Sequence, residues 1–298
     1  MKRNQETHRE APEKKRKMSS DSEMSMSQDL KIKNNIMDIL SMTLTLNELQ
    51  AKSHKLEMLK RSSYYIKVMQ LDDEENQMST STFIHFFDVM RFQDFMRDCK
   101  VHVKLQLKLL ERLYKELVIG KEELNSILDQ RGDCLAFGED AIQKKIRELY
   151  KTTEDFETET VFRELEPKNS LIPDLESKNL PKFSIVMEVE NPVVFIREQT
   201  QAFCDSVVLH WQVEEQEQQK PDEVFEIFHK LTNPTNEVES REFGSLICSG
   251  YFVTFSNLRQ EHSYQFSVKR REINTLVHED WSDTIVLTTT SPNISVKE

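Results

Sequence analysis

Between Pro12 and Gly120 the chain contains neither glycine nor proline. Over that distance a chain without turn-forming residues has few ways to change direction, and helices cross it most readily. The apolar residues agree. Leu56, Leu59, Ile66 and Met69 fall at or near helical spacings, as do Leu109, Leu110, Leu113 and Leu117. Val101, Val103, Leu105, Leu107 and Leu109 alternate with polar residues as a half-buried strand would. Val101, Leu105 and Leu109 also lie four apart, however, and no turn residue flanks the run, so helix is expected there. The stripe Phe83, Phe86, Phe87, Met90, Phe92, Phe95 and Met96 suits the core of a helical bundle. A further helix is expected from Glu139 to Phe156, with Ile142, Ile146 and Tyr150 on one face.

Pro167, Pro173 and Pro181 end the helical periodicity. Residues 28–163 therefore read as an α-helical domain and 164–182 as a linker. Residues 1–27 are poor in apolar side chains and read as a disordered basic tail. Within it, Lys14-Lys15-Arg16-Lys17 has the composition of a nuclear import signal and, more commonly, of a solvated tail.

Past Pro181 the period changes to two. Val207, Leu209 and Trp211 alternate with Val208 and His210, and Phe225 and Ile227 flank Glu226. Val253 and Phe255 flank Thr254, Tyr264, Phe266 and Val268 alternate with polar residues, and Ile285 and Leu287 flank Val286. Short alternating runs separated by polar stretches mark a β-sandwich. Four features in order then resemble the fibronectin type III family: V-V-L-H-W ending on Trp211, F-E-I at 225–227, Leu258 six residues before Tyr264, and Trp281-Ser282 before the last strand. The resemblance covers 183–291 and departs at Gln260, where the family usually has proline. It implies a seven-stranded sandwich whose tyrosine corner ties the Tyr264 hydroxyl to backbone upstream, with Trp211, Leu258, Tyr264 and Trp281 defining the fold. The whole chain thus reads as two domains, an N-terminal α-helical bundle and a C-terminal sandwich, with 292–298 as a tail.

Charge narrows the function classes. The net charge is -12, which disfavours neutralising nucleic-acid phosphates or docking on an anionic membrane. Residues 181–298 carry 19 acidic and 10 basic side chains, concentrated at Glu214, Glu215, Glu217, Asp222, Glu223 and Glu226. That cluster is a candidate docking face for a basic partner, although ordinary solvation of a loop explains it as well. The four cysteines are far apart and form no C-x-x-C pair, and the N-terminus lacks an apolar signal run. Both point to reduced thiols inside the cell, cytoplasmic or nuclear rather than secreted.

Arg131-Gly132-Asp133 invites an adhesive reading. It lies in the helical half, after a helical face of Leu124, Ile127 and Leu128, and Gly132 stands where a helix would end in the left-handed conformation. A helix stop accounts for the tripeptide. No phosphate loop, H-E-x-x-H or G-x-S-x-G is present, and Cys99 with His102 and His85 lacks further ligands for a metal. The expectation is a non-catalytic protein with no cofactor that binds other proteins, or itself, through its helices and sandwich. Leu105, Leu109, Leu113 and Leu117 are candidates for the helical interface. The alternative is a structural component of a microtubule- or cilium-associated assembly.

Overall fold

The computed structural model describes residues 30–71, 79–129, 138–161, 165–167, 170–173, 182–216, 218–219, 223–271, 275–279 and 281–291. Lys14–Lys17, Arg131-Gly132-Asp133, Glu217 and Asp222 lie outside them. The chain divides into two compact units. One falls within Met1–His54 and Leu109–Thr160, the other within Lys55–Lys108 and Val161–Glu298.

In the first unit, helix α1 (30–42) presents Ile32, Ile36 and Ile39 on one stripe. Their neighbours in the core are Leu44, Leu49 from α2 (Leu46–Arg61), Leu117 and Leu124 from α4 (Val89–Asp129), and Ile142, Ile146 and Leu149 from α5 (Glu139–Glu159). Tyr150 is exposed, so the inner face of α5 runs through Leu149 at i, i+4, i+7 and not through the expected tyrosine. Gly120 lies inside α4 and does not end it. A Cβ built there would stand 2.3 Å from a Leu149 methyl, so only glycine lets the leucine pack this close. Buried Lys52 pairs with Glu157 and sits over the Phe156 ring.

The second unit holds a surprise for the helical reading. Ser63–Gln70, reading S-Y-Y-I-K-V-M-Q, is strand β1, so Ile66 and Met69 belong to a sheet rather than a helix. Its aromatic and β-branched side chains suit a pleated, half-buried surface. It pairs antiparallel with β2 (Phe183–Glu190), Ile66 opposite Met187, and with β10 (Leu276–His278) in the order β10-β1-β2. Segment 183–190 therefore belongs to this sheet and not to the sandwich. Tyr64, Ile66 and Val68 share a core with Phe92, Phe95, Cys99 and Val103 of α4 and with Phe87, which follows the short helix α3 (Thr80–Ile84). The Phe87 ring lies 5.4 Å from Phe92 and 5.6 Å from Phe183, so the phenylalanine stripe serves a helix-on-sheet core.

The remaining strands form the sandwich. One sheet takes β3 (Val193–Phe195) and β4 (Gln201–Ala202) on one side of β5 (Ser206–Val213) and β8 (Phe252–Ser256) on the other. The second has the order β11-β9-β6-β7: Asp283–Thr288, Ser263–Arg270, Val224–Leu231, Phe243–Ser249. Among the described residues the two sheets hold eight segments where seven strands were expected, with β3 and β4 lying as two short pieces along the same side of β5. Inward residues alternate as the sequence suggests: Val207, Leu209 and Trp211 face Phe225, Ile227, Tyr264, Phe266 and Val268. Trp211 meets Phe225 edge-on at 5.6 Å, and Phe225 meets Tyr251 at 5.1 Å. Helix α6 (Glu237–Ser240) is one turn, started by Asn236, whose side chain accepts from Val238 and Glu239 N–H.

Candidate interaction face

The fold markers sit where strands must be pinned. Trp211 and Tyr264 are fully buried and Leu258 is buried beside them. The Tyr264 hydroxyl accepts from the Arg259 N–H at 3.0 Å and donates to the Glu242 carboxylate. Burial, then the hydrogen bond to Glu242, pushes its phenol up to about 12. Trp281 is half-buried, with the Arg61 guanidinium 5.3 Å from its ring centre. Asp283, which the sequence reading passed over, is buried, accepts from Phe195 N–H at 2.8 Å and holds Arg197 through both oxygens.

Two members of the acidic cluster, Glu214 and Glu223, are held by partners within the chain. Glu214 is bound by both terminal nitrogens of Arg61, at 2.9 and 2.6 Å. Glu223 holds the buried Arg270 at 3.0 Å and accepts from the Tyr251 hydroxyl. Charge counting could not tell these carboxylates from solvated ones, because Arg61 is 153 positions from Glu214 and Arg270 is 47 from Glu223. Glu215 is exposed, on a turn with φ of 55°. Glu226 points to the outer face of the sheet, in register with Lys269 on one side and Ile247 on the other.

That outer face is the better candidate. Residues opposite one another in an antiparallel sheet share a face, so the register fixes its layout. One row reads Thr284, Ser267, Phe228, Ser245, and the next Val286, Gln265, Lys230, Phe243. Small side chains on both sides of Phe228 leave a groove of about 650 Å³ lined by Phe228, Phe243, Ser245, Gln265, Ser267 and Thr284. Phe228, Phe243, Ile247 and Val286 are all exposed. The Lys269 ammonium lies 5.0 Å from the Phe228 ring centre, a cation–π contact at the groove's end. An apolar floor with a few hydrogen-bonding hydroxyls and amides is the make-up of a protein-binding patch. Strand β7 supplies a third of it and was missed in the sequence. Its run F-G-S-L-I-C-S is almost wholly exposed and so shows no alternation. The signal available was an apolar, charge-free stretch after Arg241-Glu242.

On α4, Leu113 and Leu117 are core residues, whereas Leu105 and Leu109 are exposed. Cys99 is buried, and burial pushes its thiol up to about 11, so it stays protonated near neutrality. Cys204 and Cys248 are free thiols. Among the described residues no group of three or more His, Cys, Asp or Glu could hold a metal, and no helix is long and apolar enough to cross a membrane.

Two family models cover most of the chain. The N-terminal domain of a family of unknown function (DUF5581) matches residues 24–185, and the Fn3-like domain of the same family matches 190–295. The chain is 28% identical over 264 residues to bovine fibronectin type III domain-containing protein 11, covering 86% of this chain and 78% of the relative. The human protein of that name is 27% identical over 263 residues, covering 86% and 82%. Among solved structures, the fibronectin type-III domain of human fibronectin type III domain containing protein 3 is 13% identical. It covers 33% of this chain and 84% of its own, with a TM-score of 0.24. The FN5 domain of Drosophila Lar is 12% identical, covering 32% and 91%, with a TM-score of 0.24.

Proposed function

Because the chain belongs to the DUF5581 family, with a helical N-terminal region and an Fn3-like β domain, we propose that it is a non-catalytic intracellular scaffold that binds protein partners. The observation that carries this is the outer face of β11-β9-β6-β7, where Phe228, Phe243 and Val286 stand exposed around a groove on a rigid sheet. Exposed apolar groups clustered on one face are the usual mark of an interaction surface. The polar contacts that fix the sandwich lie elsewhere: Tyr264, Asp283 and Arg270 face inward and leave this surface unencumbered. The partner supported by this surface is a protein presenting apolar side chains, with Lys230, Lys269 and Glu226 at the margins setting orientation.

The test is proximity labelling in cells with the full chain and with Phe228→Ser combined with Val286→Asp. Both side chains are exposed, so the fold is retained and the labelled neighbours are expected to fall away. An unchanged set of neighbours refutes the proposed face. The alternative, a structural role in a microtubule- or cilium-associated assembly, predicts co-sedimentation with polymerised tubulin, which the scaffold reading does not require.

A further inference from the structure

Sheets end in strands with unpaired N–H and C=O groups, and natural proteins blunt such edges with short strands, lysine, proline or bulges. In this sandwich β3 and β4 are short. Strand β7 has none of these devices. It runs seven residues at the end of its sheet, contains no charge and no proline, and pairs only with β6 among the described residues. Phe243 is 70% exposed, Ile247 43% and Leu246 39%.

The direction of its hydrogen bonds follows from the register. Leu231 N–H donates to the Glu242 carbonyl, so 231 and 242 are a bonded pair. Bonded and non-bonded pairs alternate in antiparallel sheets. Gly244, Leu246 and Cys248 therefore bond to His229, Ile227 and Phe225, while the N–H and C=O groups of Ser245 and Ile247 point away from β6. Phe243 uses its own N–H on the Arg241 carbonyl but leaves its C=O outward.

We propose that β7 pairs antiparallel with β7 of a second copy of this chain, about a two-fold axis at Ser245, joining the two four-stranded sheets into one. In that register Ser245 exchanges both backbone bonds with its own copy, and Ile247 N–H reaches the Phe243 carbonyl of the second copy. Phe243 falls opposite Ile247 of the second copy on the outer face, apolar against apolar. Leu246 falls opposite Gly244 on the other face, where the absent side chain leaves it room. A charge-free edge meets itself with no like-charge repulsion, which is what selects a second copy over a charged peptide as the occupant. The overlap is five residues, so the buried area is well below the ~1,200–2,000 Å² of a stable standard interface and the dimer is concentration-dependent. Pairing leaves the Phe228 and Val286 face open on both copies, which would present partners with two linked sites.

Sedimentation equilibrium of the full chain from low to high micromolar concentration tests this. The apparent mass is expected to rise from 35.2 kDa towards twice that value. Ser245→Pro removes a donor that β6 does not use, and Ile247→Lys puts a charge on the edge. Both are expected to hold the mass at the monomer value, while Leu105→Asp on α4 is expected to leave association intact. If Ser245→Pro disturbs the fold by circular dichroism, Ile247→Lys decides alone, since it alters only an exposed side chain. A wild-type chain that stays monomeric throughout overturns the proposal. So does a dimer that persists in Ile247→Lys, which would place association on another surface.

Discussion

Replacing Tyr264 by Phe isolates the chemistry of the corner. The ring is completely buried and would stay so, so no cavity term enters. What is lost is the bond from Arg259 N–H at 3.0 Å and the bond given to the Glu242 carboxylate. A neutral hydrogen bond contributes about 1 kcal/mol net, and one to a charged acceptor about 1.5–3 kcal/mol. Glu242 keeps its ion pair with the Arg259 side chain at 2.7 Å, which puts its share at the low end. The expected loss is about 2–3 kcal/mol, the larger share from the bond to the Glu242 carboxylate. Both tryptophans lie in this part of the chain, at 211 and 281, so their fluorescence during urea unfolding reports on it. With m of ~1–3 kcal/mol/M, the midpoint should fall by about 0.7–3 M with m unchanged. A fall below ~0.3 M would refute the claim that this hydroxyl pins the corner. The same substitution has a pH signature. The folded protein holds the phenolic proton up to about 12, whereas the unfolded tyrosine releases it near the ordinary phenol value of 10.0. The native state binds more protons in that window, so wild-type stability declines as pH rises from 10 to about 12, and this contribution is absent in Tyr264→Phe.

Three further outcomes are expected. Arg61→Ala removes a two-point ion pair with Glu214 and a cation–π contact with Trp281. It should lower stability by about 2 kcal/mol and shift the Trp281 emission, read by comparison with Trp281→Phe. His229 packs 5.0 Å from Phe255 inside the sandwich, and burial holds its pKa below 6.5 against an opposing pull from Glu242. As pH falls below 6.5 the unfolded chain takes up a proton that the folded one resists, so stability drops. His229→Gln should show a shallower fall between neutral and mildly acidic pH in the same urea assay. On α4, Leu113→Asp or Leu117→Asp should abolish much of the helical circular dichroism, whereas Leu105→Asp and Leu109→Asp should change stability by less than about 0.5 kcal/mol. Equal effects at all four positions would contradict the burial that separates them.

The sandwich was legible because alternation couples each letter directly to burial. Every inward residue named from the pattern of β5, β6 and β9 lies in the core, and the spacing from Leu258 to Tyr264 sets up the corner the structure contains. The pattern failed where the deciding partner is distant or where burial is absent. Strand β1 follows the helical residues Leu56 and Leu59 with no glycine or proline between, so nothing local announces the change of period. Its identity is decided by pairing with residues more than a hundred positions away, Met187 opposite Ile66 and His278 opposite Tyr64. The absence of turn residues that argued for helix fits a strand equally well, since strand interiors also exclude glycine and proline.

The candidate face was illegible for the opposite reason. An edge strand exposed on nearly every side carries no periodicity, so β7 reads as a loop, and the eye goes instead to the charges nearby. Two of those charges, Glu214 and Glu223, are internal fasteners. Arg61, from the end of α2, and Arg270, from β9, each take up a carboxylate of the cluster, because a carboxylate that loses solvent must find a partner. With Glu214 and Glu223 engaged inside the chain, attention moves to uncharged positions, where Phe228, Phe243 and Ile247 are exposed. On a chain of net charge -12, a charge-free strand at the end of a sheet is the place where two copies can approach without repulsion at the contact itself. Partner recognition through the face and self-pairing through the edge therefore share Phe243 and Ser245, which line the groove, while Phe228 and Val286 report on the face alone and Ile247 on the edge.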